Sequence, residues 1–472
     1  MKKTTLFITS LSLLFLAACS SNLRILHTND SHAAYQHKDG GYLALEYHLE
    51  EARAEKSPNL YLDAGDMQTG SIFSSLNYDF VQGGAVLEVF KRLNLDAATP
   101  GNHEFDVSYE HAKSLMEKAE FPFYSANLLD ADGSSFSAAP YGIFQKGKLK
   151  IGVIGLTIDS LPERVKPENV APITILPYKE AIDLIIAEVD AQSDLIILLT
   201  HNGWEADSLL ATQLDDRVDI IVGGHSHTSI TEPTRVNGIY ILSAGSHLRY
   251  LGVADLKVKK DRITKFSSHL QPLTPPPDEY QSELRPFLEE TIGELEKSLS
   301  KIAGELPYDF KVDKFQPTEG SIWVANALLA EYPQADLAMI NNGGLRMHLP
   351  AGPVTLKDLH EYIPFGNTIA LFSCSGQDIL SAYAKNQRIA QDKPYDIMSV
   401  SSPSWFADES SAFMIGDQEL DPKKIYRVVT HDYIISQWDK YLDFRPQDID
   451  ETGALFLDAI IRQVQLQFGE KR

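Results

Sequence analysis

Short apolar runs rich in β-branched residues alternate with longer amphipathic stretches over residues 24–269. Several of these runs are apolar throughout, which is typical of strands that are buried on both faces of a sheet. The runs lie at 24–27, 60–63, 149–157, 195–200, 220–222 and 239–243. Amphipathic stretches at 42–53, 84–93 and 178–190 have the spacing of helices. The alternation of strand and helix predicts an α/β domain.

Four prolines between residues 272 and 277 end this pattern, because proline interrupts regular structure. The charge mixture and apolar spacing of residues 279–302 then predict an exposed helix that links two units. A chain of 472 residues is too long for one ordinary core. The predicted division is a first domain at 22–270, a linker with its helix at 271–303, and a second α/β or α+β domain at 304–472.

The first residues form a targeting signal. Two lysines precede an apolar run at 6–18 that is too short to span a bilayer as a helix. Its end, at 16–19, resembles a bacterial lipobox. That resemblance implies removal of a signal peptide at 1–18 and acylation of Cys19. It also implies a secreted protein that is anchored in the bacterial envelope by its lipid alone, at the periplasmic face or the cell surface. The alternative is an ordinary secretory signal with an accidental cysteine.

Composition and net charge limit the class of protein and the kinds of partner that are expected. Hydrophobic residues make up 43% of the chain and charged residues 23%, as in globular proteins. The formal net charge of −23 repels nucleic acid, so a nucleic acid polymer is not an expected partner. The same charge repels anionic substrates, so a phosphate site needs strong local positive charge, which metal ions supply. Cys374 is predicted to be a small buried hydrophobe.

Polar clusters follow the ends of five short apolar runs, which is where ligands bind in open α/β sheets. The clusters are Asn29-Asp30-Ser31-His32, Asp63-Ala64-Gly65-Asp66, Gly101-Asn102-His103-Glu104-Phe105-Asp106, Thr200-His201-Asn202-Gly203 and Gly223-Gly224-His225-Ser226-His227. Their carboxylate, amide and imidazole groups suit zinc, manganese, iron or cobalt. A single histidine at a strand end is usually structural, but five such clusters in order predict a metal site.

The spacing within the clusters supports this prediction. Asp30 and His32 are two residues apart, so in an extended loop both side chains can point at one ion, and His225 and His227 repeat that spacing. Five of the 14 histidines lie in the clusters. The others are interpreted as structural or surface residues, and they include His27, His37, His48, His111 and His247.

This ordered series resembles the calcineurin-like metallophosphoesterase motif. Within that superfamily, residues 28–30 and 101–106 resemble the 5′-nucleotidase and UDP-sugar hydrolase family, which joins a catalytic domain to a C-terminal nucleotide-binding domain. The resemblance covers essentially the whole mature chain. It implies a β-sandwich flanked by helices in the first domain and an α/β or α+β substrate-binding second domain.

Carried over by position, the resemblance implies two divalent ions. The ligands of one would be Asp30, His32, Asp66 and His227, and those of the other would be Asp66, Asn102, His201 and His225. Two cations on a shared carboxylate can clamp a phosphate and lower the pKa of water. His103 and Asp106 match the family's catalytic dyad, in which the carboxylate would orient the imidazole.

Segments of the second domain resemble the family's substrate-binding signatures. The implied contacts are Asn341, Arg346, Phe365, Asn367, Tyr433 and Asp439. By this match Asn341 and Arg346 would reach the phosphate, where the arginine fork binds oxygens in pairs. Phe365 would stack on a flat base.

Two departures from the family pattern leave the substrate open. Gln437 and Trp438 replace a pair of glycines between the last two contacts. Glu319 stands where the family usually has a cationic or amide group, and a carboxylate there would weaken the binding of a polyphosphate.

The leading hypothesis is a metal-dependent hydrolase that releases phosphate from small nucleotides outside the cytoplasm. A 2′,3′-cyclic-nucleotide phosphodiesterase and a nucleotide-sugar pyrophosphohydrolase need the same metal chemistry and are the alternatives. A non-catalytic surface lipoprotein is an alternative from another class, but the complete ligand series and the dyad speak against it.

Overall fold

The computed structural model of the protein describes residues 20–37, 40–54, 57–406 and 413–469. The predicted signal peptide and Cys19 lie outside the described residues, so both stay predictions. Within the described ranges, no helix combines the length and the apolar character that a membrane crossing requires.

Two sheets form a sandwich in the first part of the chain. In spatial order, the strands of the first sheet are Ile263–Pro272, Tyr250–Val258, Ser21–Thr28, Asn59–Asp63 and Ala97–Ala98. Those of the second sheet are Thr234–Val236, Ile239–Leu242, Ile220–Gly223, Leu195–His201, Leu149–Thr157 and Tyr141–Lys146. Ser21–Thr28 runs parallel to Asn59–Asp63, and Leu195–His201 runs parallel to Ile220–Gly223. The carboxyl ends of each parallel pair therefore lie at one edge of their sheet.

The central strands are buried on both faces, as their apolar runs predict. Ile197 and Leu199 pack between the two sheets, whereas Ile196 and Leu198 pack against outer helices. The helices over the first sheet are Tyr42–Ala54, Gly84–Arg92 and Tyr109–Lys118, and those over the second are Tyr178–Asp190 and Trp204–Ala211. The predicted β-sandwich flanked by helices is confirmed, and the predicted strands and helices of this part end within three residues of the observed ones.

The linker helix is shorter and more buried than predicted. It spans Arg285–Leu299, not 279–302, and Pro286 sits in its first turn, where a missing N–H costs nothing. The carboxylate of Glu46 stabilises the start of this helix, because it accepts a hydrogen bond from the Leu284 backbone N–H at 2.9 Å. The apolar face of this segment packs into the core below the first sheet through Leu284, Phe287, Leu288, Ile292 and Leu299. The prediction of an exposed helix is therefore wrong, because one face is needed to cover that core.

A five-stranded mixed sheet organises the last part of the chain. In spatial order its strands are Met398–Val400, Leu337–Asn341, Ile425–His431, Thr368–Ser375 and Gln447–Leu455, while Ile302–Leu306 pairs with Gly352–Thr355 alongside. The helices are Glu319–Glu331, Leu356–Tyr362, Gly376–Asp392, Asp432–Ser436, Trp438–Tyr441 and Phe456–Phe468. The predicted α/β or α+β class is confirmed, and Cys374 is buried as expected. The domain boundaries stay predictions.

Local sequence explains where several of these elements begin. Capping boxes start three helices of the last part, with Thr318, Thr355 and Ser375 as the capping residues. Two-stranded ribbons join Gln36–His37 to Gly40–Gly41, Asn77–Tyr78 to Val81–Gln82, Leu128–Leu129 to Thr174–Ile175, and Met414–Ile415 to Gln418–Glu419. Single 3₁₀ turns lie at Ile72–Ser75, His103–Phe105, Leu161–Glu163, Pro167–Asn169, Asn342–Gly344 and Pro403–Phe406.

Candidate active site

The predicted metal ligands meet at one edge of the sandwich. Loops that leave the carboxyl ends of strands in both sheets converge there. The side chains that they bring together are Asp30, His32, Asp66, Asn102, His201, His225 and His227. The tertiary structure thus places every predicted metal-ligating residue in one cluster.

Asp66 lies between two groups of ligand atoms. In the first group, the Nε2 atoms of His32 and His227 are 3.0 Å apart, and His227 Nε2 is 3.4 Å from Asp30 Oδ1. In the second group, His201 Nε2 is 3.1 Å from Asp66 Oδ2. The ligand atoms of Asp66 and His32 also lie within 4.8 Å of each other. A single carboxylate therefore reaches both groups.

Asn102 and His225 complete the second group. The side-chain Oδ1 of Asn102 lies 3.0 Å from His225 Nδ1. The ligand atoms of Asp66, His201 and His225 lie within 4.8 Å of one another. Carboxylate, amide and imidazole donors converge at this spacing, and this is the chemistry of a site for borderline divalent ions.

Hydrogen bonds on the far side of two rings turn their free nitrogens into the cluster. His201 Nδ1 donates to the Ala64 carbonyl oxygen at 2.6 Å, and His32 Nδ1 donates to the Thr69 carbonyl oxygen at 2.8 Å. The Nε2 atom of His201 is buried, and Asp66 Oδ2, which lies 3.1 Å away, is poorly aligned for a hydrogen bond with it. Histidines that bind metals are held in this way, with one nitrogen donating outward and the other presented to the ion. The residues present therefore fit divalent cations.

The ligand loops are strained, and this corrects the prediction of an extended loop. Asp30, His32, Asp66, His225 and His227 have φ angles of 50°, 49°, 55°, 75° and 54°. This left-handed conformation costs a residue other than glycine on the order of 1–3 kcal/mol. Extended backbone also places side chains that are two residues apart on the same side, so the difference from the prediction lies in the conformation of the loops and not in the shared direction of the paired ligands.

Glu104 holds two of the ligand loops together. Its buried carboxylate accepts backbone N–H bonds from Asp66 at 3.1 Å, Met67 at 2.9 Å, Gln68 at 3.2 Å and Gly101 at 2.7 Å. Gly101 must be glycine, because a Cβ there would lie 2.2 Å from Asp66 Oδ1. Sequence reasoning assigned no role to Glu104, whose position inside the Gly101–Asp106 cluster was the available signal.

The predicted dyad is formed. His103 Nδ1 lies 2.7 Å from Asp106 Oδ2, and His103 Nε2 lies 4.0 Å from Asp66 Oδ2. The backbone N–H of His103 donates to Asp66 Oδ1 at 2.8 Å, so the dyad and the shared carboxylate have a fixed relation. Burial disfavours the charged imidazole, but the carboxylates of Asp106 and Asp66 outweigh it and raise the pKa of His103.

Charges inside the cluster are strongly coupled. Burial opposes ionisation of Asp66, but His201 and His103 outweigh it and hold the pKa of that carboxyl well below its usual range. Burial opposes protonation of His201, yet the Asp66 carboxylate raises the pKa of His201 to about 10. Burial and the charge of His201 lower the pKa of His225 to about 3, so His225 is a neutral donor. The buried cluster therefore requires positive charge, and a proton on His201 supplies it.

The cluster and the dyad open into a cavity of about 550 Å³ between the two parts of the chain. The predicted substrate residues that line it are Asn341, Arg346, Phe365, Asn367 and Tyr433. The Arg346 guanidinium carbon lies 5.7 Å from the centre of the Phe365 ring. That ring lies 5.9 Å from the His103 ring.

Arg346 is the cation that faces the reaction centre. Its burial lowers the pKa of its guanidinium, while the carboxylates of Asp66, Asp106 and Asp30 oppose that effect. Among the described residues it forms no ion pair with a carboxylate. Its charge is therefore available to an anion that lies beside the ligand cluster.

One predicted substrate contact, Asp439, and the departure from the family pattern at Glu319 both lie outside the cavity. Asp439 is exposed and does not line the cavity, because Trp438–Tyr441 forms a helical turn that directs Lys440 inward instead. Glu319 is exposed at the first position of its helix and also lies outside the cavity lining. Besides Asp66 and Asp106, the cavity is lined by Asp396, which accepts hydrogen bonds from Asn341 Nδ2 at 2.9 Å and Tyr441 Oη at 2.8 Å.

His247 packs beside two of the predicted metal ligands, and its interpretation as a structural or surface residue stays a prediction. Its ring centroid lies 4.9 Å from that of His32 and 5.6 Å from that of His227. Its backbone N–H donates to the Asp30 carbonyl oxygen at 2.7 Å. The missed signal was its position after the strand Ile239–Leu242, which ends at the same edge as the other clusters.

Comparisons with known proteins agree with this fold. The calcineurin-like phosphoesterase family model matches residues 23–229, and the model of the 5′-nucleotidase C-terminal domain matches residues 298–444. A 5′-nucleotidase of Vibrio parahaemolyticus is 29% identical over 509 residues, which covers 94% of this chain and 89% of that protein. The metallophosphoesterase YunD of Bacillus subtilis is 30% identical over 347 residues, or 72% of this chain and 73% of YunD.

A solved structure shows the same architecture. The 5′-nucleotidase precursor of Thermus thermophilus superposes with a TM-score of 0.82 at 22% identity, covering 94% of this chain and 96% of that one. Fold, site and matched domains define a metal-dependent phosphoester hydrolase. The chain belongs to the 5′-nucleotidase family, in which a calcineurin-like phosphoesterase domain is followed by a 5′-nucleotidase C-terminal domain. The resemblance inferred from the sequence motifs is confirmed.

Replacing Glu104 by Gln will weaken metal binding. The neutral amide is a poorer acceptor for the four backbone N–H groups, and loss of such supporting contacts costs about 10–100-fold in metal affinity. Competition with a calibrated chelator measures the affinity. Glu110→Gln, on the helix Tyr109–Lys118, is the matched control. Equal affinities for wild type and Glu104→Gln would show that the carboxylate does not organise the loops.

Metal uptake will release about one proton near neutral pH, because ligands must be deprotonated to bind. The pKa of His201 is raised to about 10, so its proton competes with the ion at every pH below that value and metal affinity will rise with pH. Calorimetric titrations in buffers of different ionisation enthalpy count the protons. His201→Gln will abolish the release, and exposed His269→Gln will not. Uptake without proton release in wild type would contradict this assignment.

Proposed function

We propose that this chain hydrolyses the phosphate monoester of nucleotides and releases the nucleoside and phosphate. One observation carries the proposal: a single cavity is lined by the ligand cluster around Asp66, by the His103–Asp106 dyad and by Arg346. The aromatic rings of Phe365 and Tyr433 line the same cavity. A nucleotide presents a matching part to each region: an ester oxygen, a phosphoryl group and a flat base. The 5′-nucleotidases among the relatives support the same substrate class.

The proposed cofactors are two divalent ions, drawn from zinc, manganese, cobalt or iron. Asp30, His32, Asp66 and His227 would hold one, and Asp66, Asn102, His201 and His225 the other. When bound, such ions supply positive charge that stabilises the transition state at phosphorus, and they make an attacking water more acidic. The chain contributes the shared carboxylate that sets where this charge sits.

His103 is the proposed general acid. Asp106 accepts from its Nδ1 and fixes the ring, which leaves Nε2 on the side of Asp66 and the cavity. Because the two carboxylates raise its pKa, the charged imidazole is favoured, and that form can donate a proton to the phosphoryl group or the leaving ester oxygen.

The second part of the chain is proposed to bind the substrate. Arg346 would bind phosphoryl oxygens in a bidentate manner, and Phe365 and Tyr433 would hold the base through their π faces. Asn341 is held in place because its Nδ2 donates to Asp396 at 2.9 Å. Asn367 lines the same cavity and would add a hydrogen bond to the base or sugar.

The proposed location is outside the cytoplasm, on a lipid anchor at Cys19. The lipobox-like residues 16–19 support this assignment. Incorporation of labelled fatty acid by the full-length chain, and its loss in Cys19→Ala, is the expected result. A wild-type chain that is secreted without lipid would contradict the anchor and leave the catalytic proposal standing.

Asp66→Ala and His103→Ala will each abolish turnover of nucleoside monophosphates while the fold survives. The first removes the carboxylate that both ligand groups share, and the second removes the proposed acid. Phosphate release measures turnover, and circular dichroism checks the fold. His269→Ala is the matched control for the second variant, because His269 is exposed and does not line the cavity. Wild-type activity in either folded variant would overturn the assignment, and hydrolysis of cyclic nucleotides alone would overturn the substrate class.

Phe365→Ala will raise KM for a nucleoside monophosphate by about 5–150-fold, the range expected from stacking worth about 1–3 kcal/mol. It will leave KM for glycerol phosphate nearly unchanged, because that substrate has no flat group. Phe80, which is 98% exposed, gives the matched control Phe80→Ala. Equal KM increases for both substrates would show that Phe365 supports the phosphate site and not the base.

A further inference from the structure

The helical turn Trp438–Tyr441 presents one cation to the substrate cavity. Lys440 lines that cavity, whereas its neighbour Asp439 is exposed and does not. The Tyr395 hydroxyl donates to the Lys440 carbonyl oxygen at 2.9 Å, which fixes the backbone of the turn. A lysine ammonium group carries three N–H donors and no acceptor. The atoms around its Nζ therefore indicate what a bound molecule has to supply.

Three tyrosine rings surround the ammonium group. The Nζ atom lies 5.0 Å from the centre of the Tyr395 ring, 4.9 Å from that of Tyr441 and 5.7 Å from that of Tyr433. The Tyr441 ring also lies 6.0 Å from the Tyr395 ring and 6.1 Å from the Tyr433 ring, so the three form one cluster. Each π face attracts the cation and holds it in place. The ring faces are nevertheless only weak partners for its N–H groups.

The hydrogen-bonding capacity of Lys440 is largely unused by the protein. Among the described residues, its Nζ donates to the Tyr433 hydroxyl at 3.4 Å, which is long for a hydrogen bond, and to no carboxylate. Burial lowers the pKa of the ammonium group, and the Asp396 carboxylate opposes that effect. Asp396 itself already accepts hydrogen bonds from three other groups. The donors of Lys440 are therefore available to acceptor atoms of a molecule in the cavity.

Lys440 lies at the rim of the proposed base-binding region. Its Nζ is closer to the Tyr433 hydroxyl oxygen, at 3.4 Å, than to the centre of that ring, at 5.7 Å. Tyr433 is one of the two rings proposed to hold the base through a π face. A base that stacks on this ring presents its edge near the hydroxyl end, because the polar atoms of a base lie on its perimeter. The ammonium group is therefore placed to contact the edge of the base.

An ammonium group distinguishes bases by the atom that they present to it. A carbonyl oxygen, as at position 6 of hypoxanthine or guanine, accepts a hydrogen bond, whereas the amino group at the same position of adenine donates one. A donor that faces another donor leaves both unsatisfied, which weakens binding. Lysine can contact the O6 and N7 atoms of guanine together, and this pair of acceptors is absent from adenine.

We propose that Lys440 gives this chain a preference for nucleotides whose base carries a carbonyl oxygen at this edge, with 6-oxopurine nucleotides favoured over adenine nucleotides. This inference rests on the proposed nucleotide hydrolase function and adds a specificity determinant to it. The ammonium group donates to the carbonyl oxygen while the three tyrosine rings hold it in position. Because Lys440 contacts the base and not the reacting group, its effect falls on KM and not on kcat.

The test compares Lys440→Met with Lys424→Met in the full, metal-loaded chain. Lys424 also lies over a tyrosine, 4.6 Å from the centre of the Tyr426 ring, but it does not line the cavity. Kinetics are measured with inosine monophosphate and adenosine monophosphate, which have the same ribose and phosphate. Wild type will have a KM about 10-fold or more lower for the inosine nucleotide, as for a hydrogen bond from a charged group. Lys440→Met will remove this difference with kcat unchanged, and Lys424→Met will keep it.

Two kinetic outcomes would overturn the inference. One is an equal KM of wild type for the two nucleotides. The other is an equal rise of both KM values in Lys440→Met, which would assign the ammonium group to the phosphate. Circular dichroism checks the fold of each variant. If Lys440→Met does not fold, Lys440→Gln takes its place and will also remove the preference, because an amide group both donates and accepts.

Calorimetric binding of the nucleosides inosine and adenosine gives a readout that needs neither turnover nor phosphate. Wild type will bind inosine about 10-fold or more tightly than adenosine, and Lys440→Met will bind both alike. If wild type hydrolyses neither nucleotide, the proposed function fails, and this binding alone decides the inference. Equal affinities of wild type for the two nucleosides, or binding of neither, would then overturn it.

Discussion

The arrangement of the ligand loops in this structure depends on one buried carboxylate. Asp66 lies within reach of His201 on one side and His32 on the other, where loops from two sheets meet. A buried charge must be neutralised, and the surrounding groups do so in one of two ways. A proton on His201 neutralises it when protein groups act alone, and divalent cations are the chemical alternative that the donor atoms suit. The left-handed loops, Gly101 and Glu104 all serve to keep this carboxylate in place.

The net charge of −23 makes the local positive charge at the cavity significant. A phosphate ester approaches against the overall field of the protein, so the attraction must come from groups close to the site. Arg346 supplies it beside the dyad, and Arg164 and Lys314 supply it elsewhere in the lining of the same cavity. Cations held by the ligand cluster would add to the same region. The charge pattern thus favours small anions that can enter the cavity over polyanions that must lie on the surface.

The two parts of the chain form the cavity together, and the contact between them is specific. Gln437 stands where related sequences are expected to have glycine, and it donates to two carbonyl groups of the loop that carries Arg164. The same departure from the family pattern that left the substrate open therefore positions a cation of the first part against residues of the second. Trp438–Tyr441 continues as a helical turn that leaves Asp439 exposed, whereas Asp396 lines the cavity together with Asp66 and Asp106.

The sequence by itself determined the features that depend on neighbours along the chain. Apolar runs predicted the buried strands, and the polar residues at their ends predicted a metal site, because parallel strands must end at one edge. The individual ligands and the His103–Asp106 pair were implied by the resemblance of these clusters to the family motif. Only the tertiary structure decided which residues far apart in the chain share a cavity. It brought His247 to His32, placed Asp396 in the cavity lining and Asp439 outside it, and buried one face of the linker helix. These outcomes depend on long-range packing and on the direction of individual side chains, which local spacing does not encode.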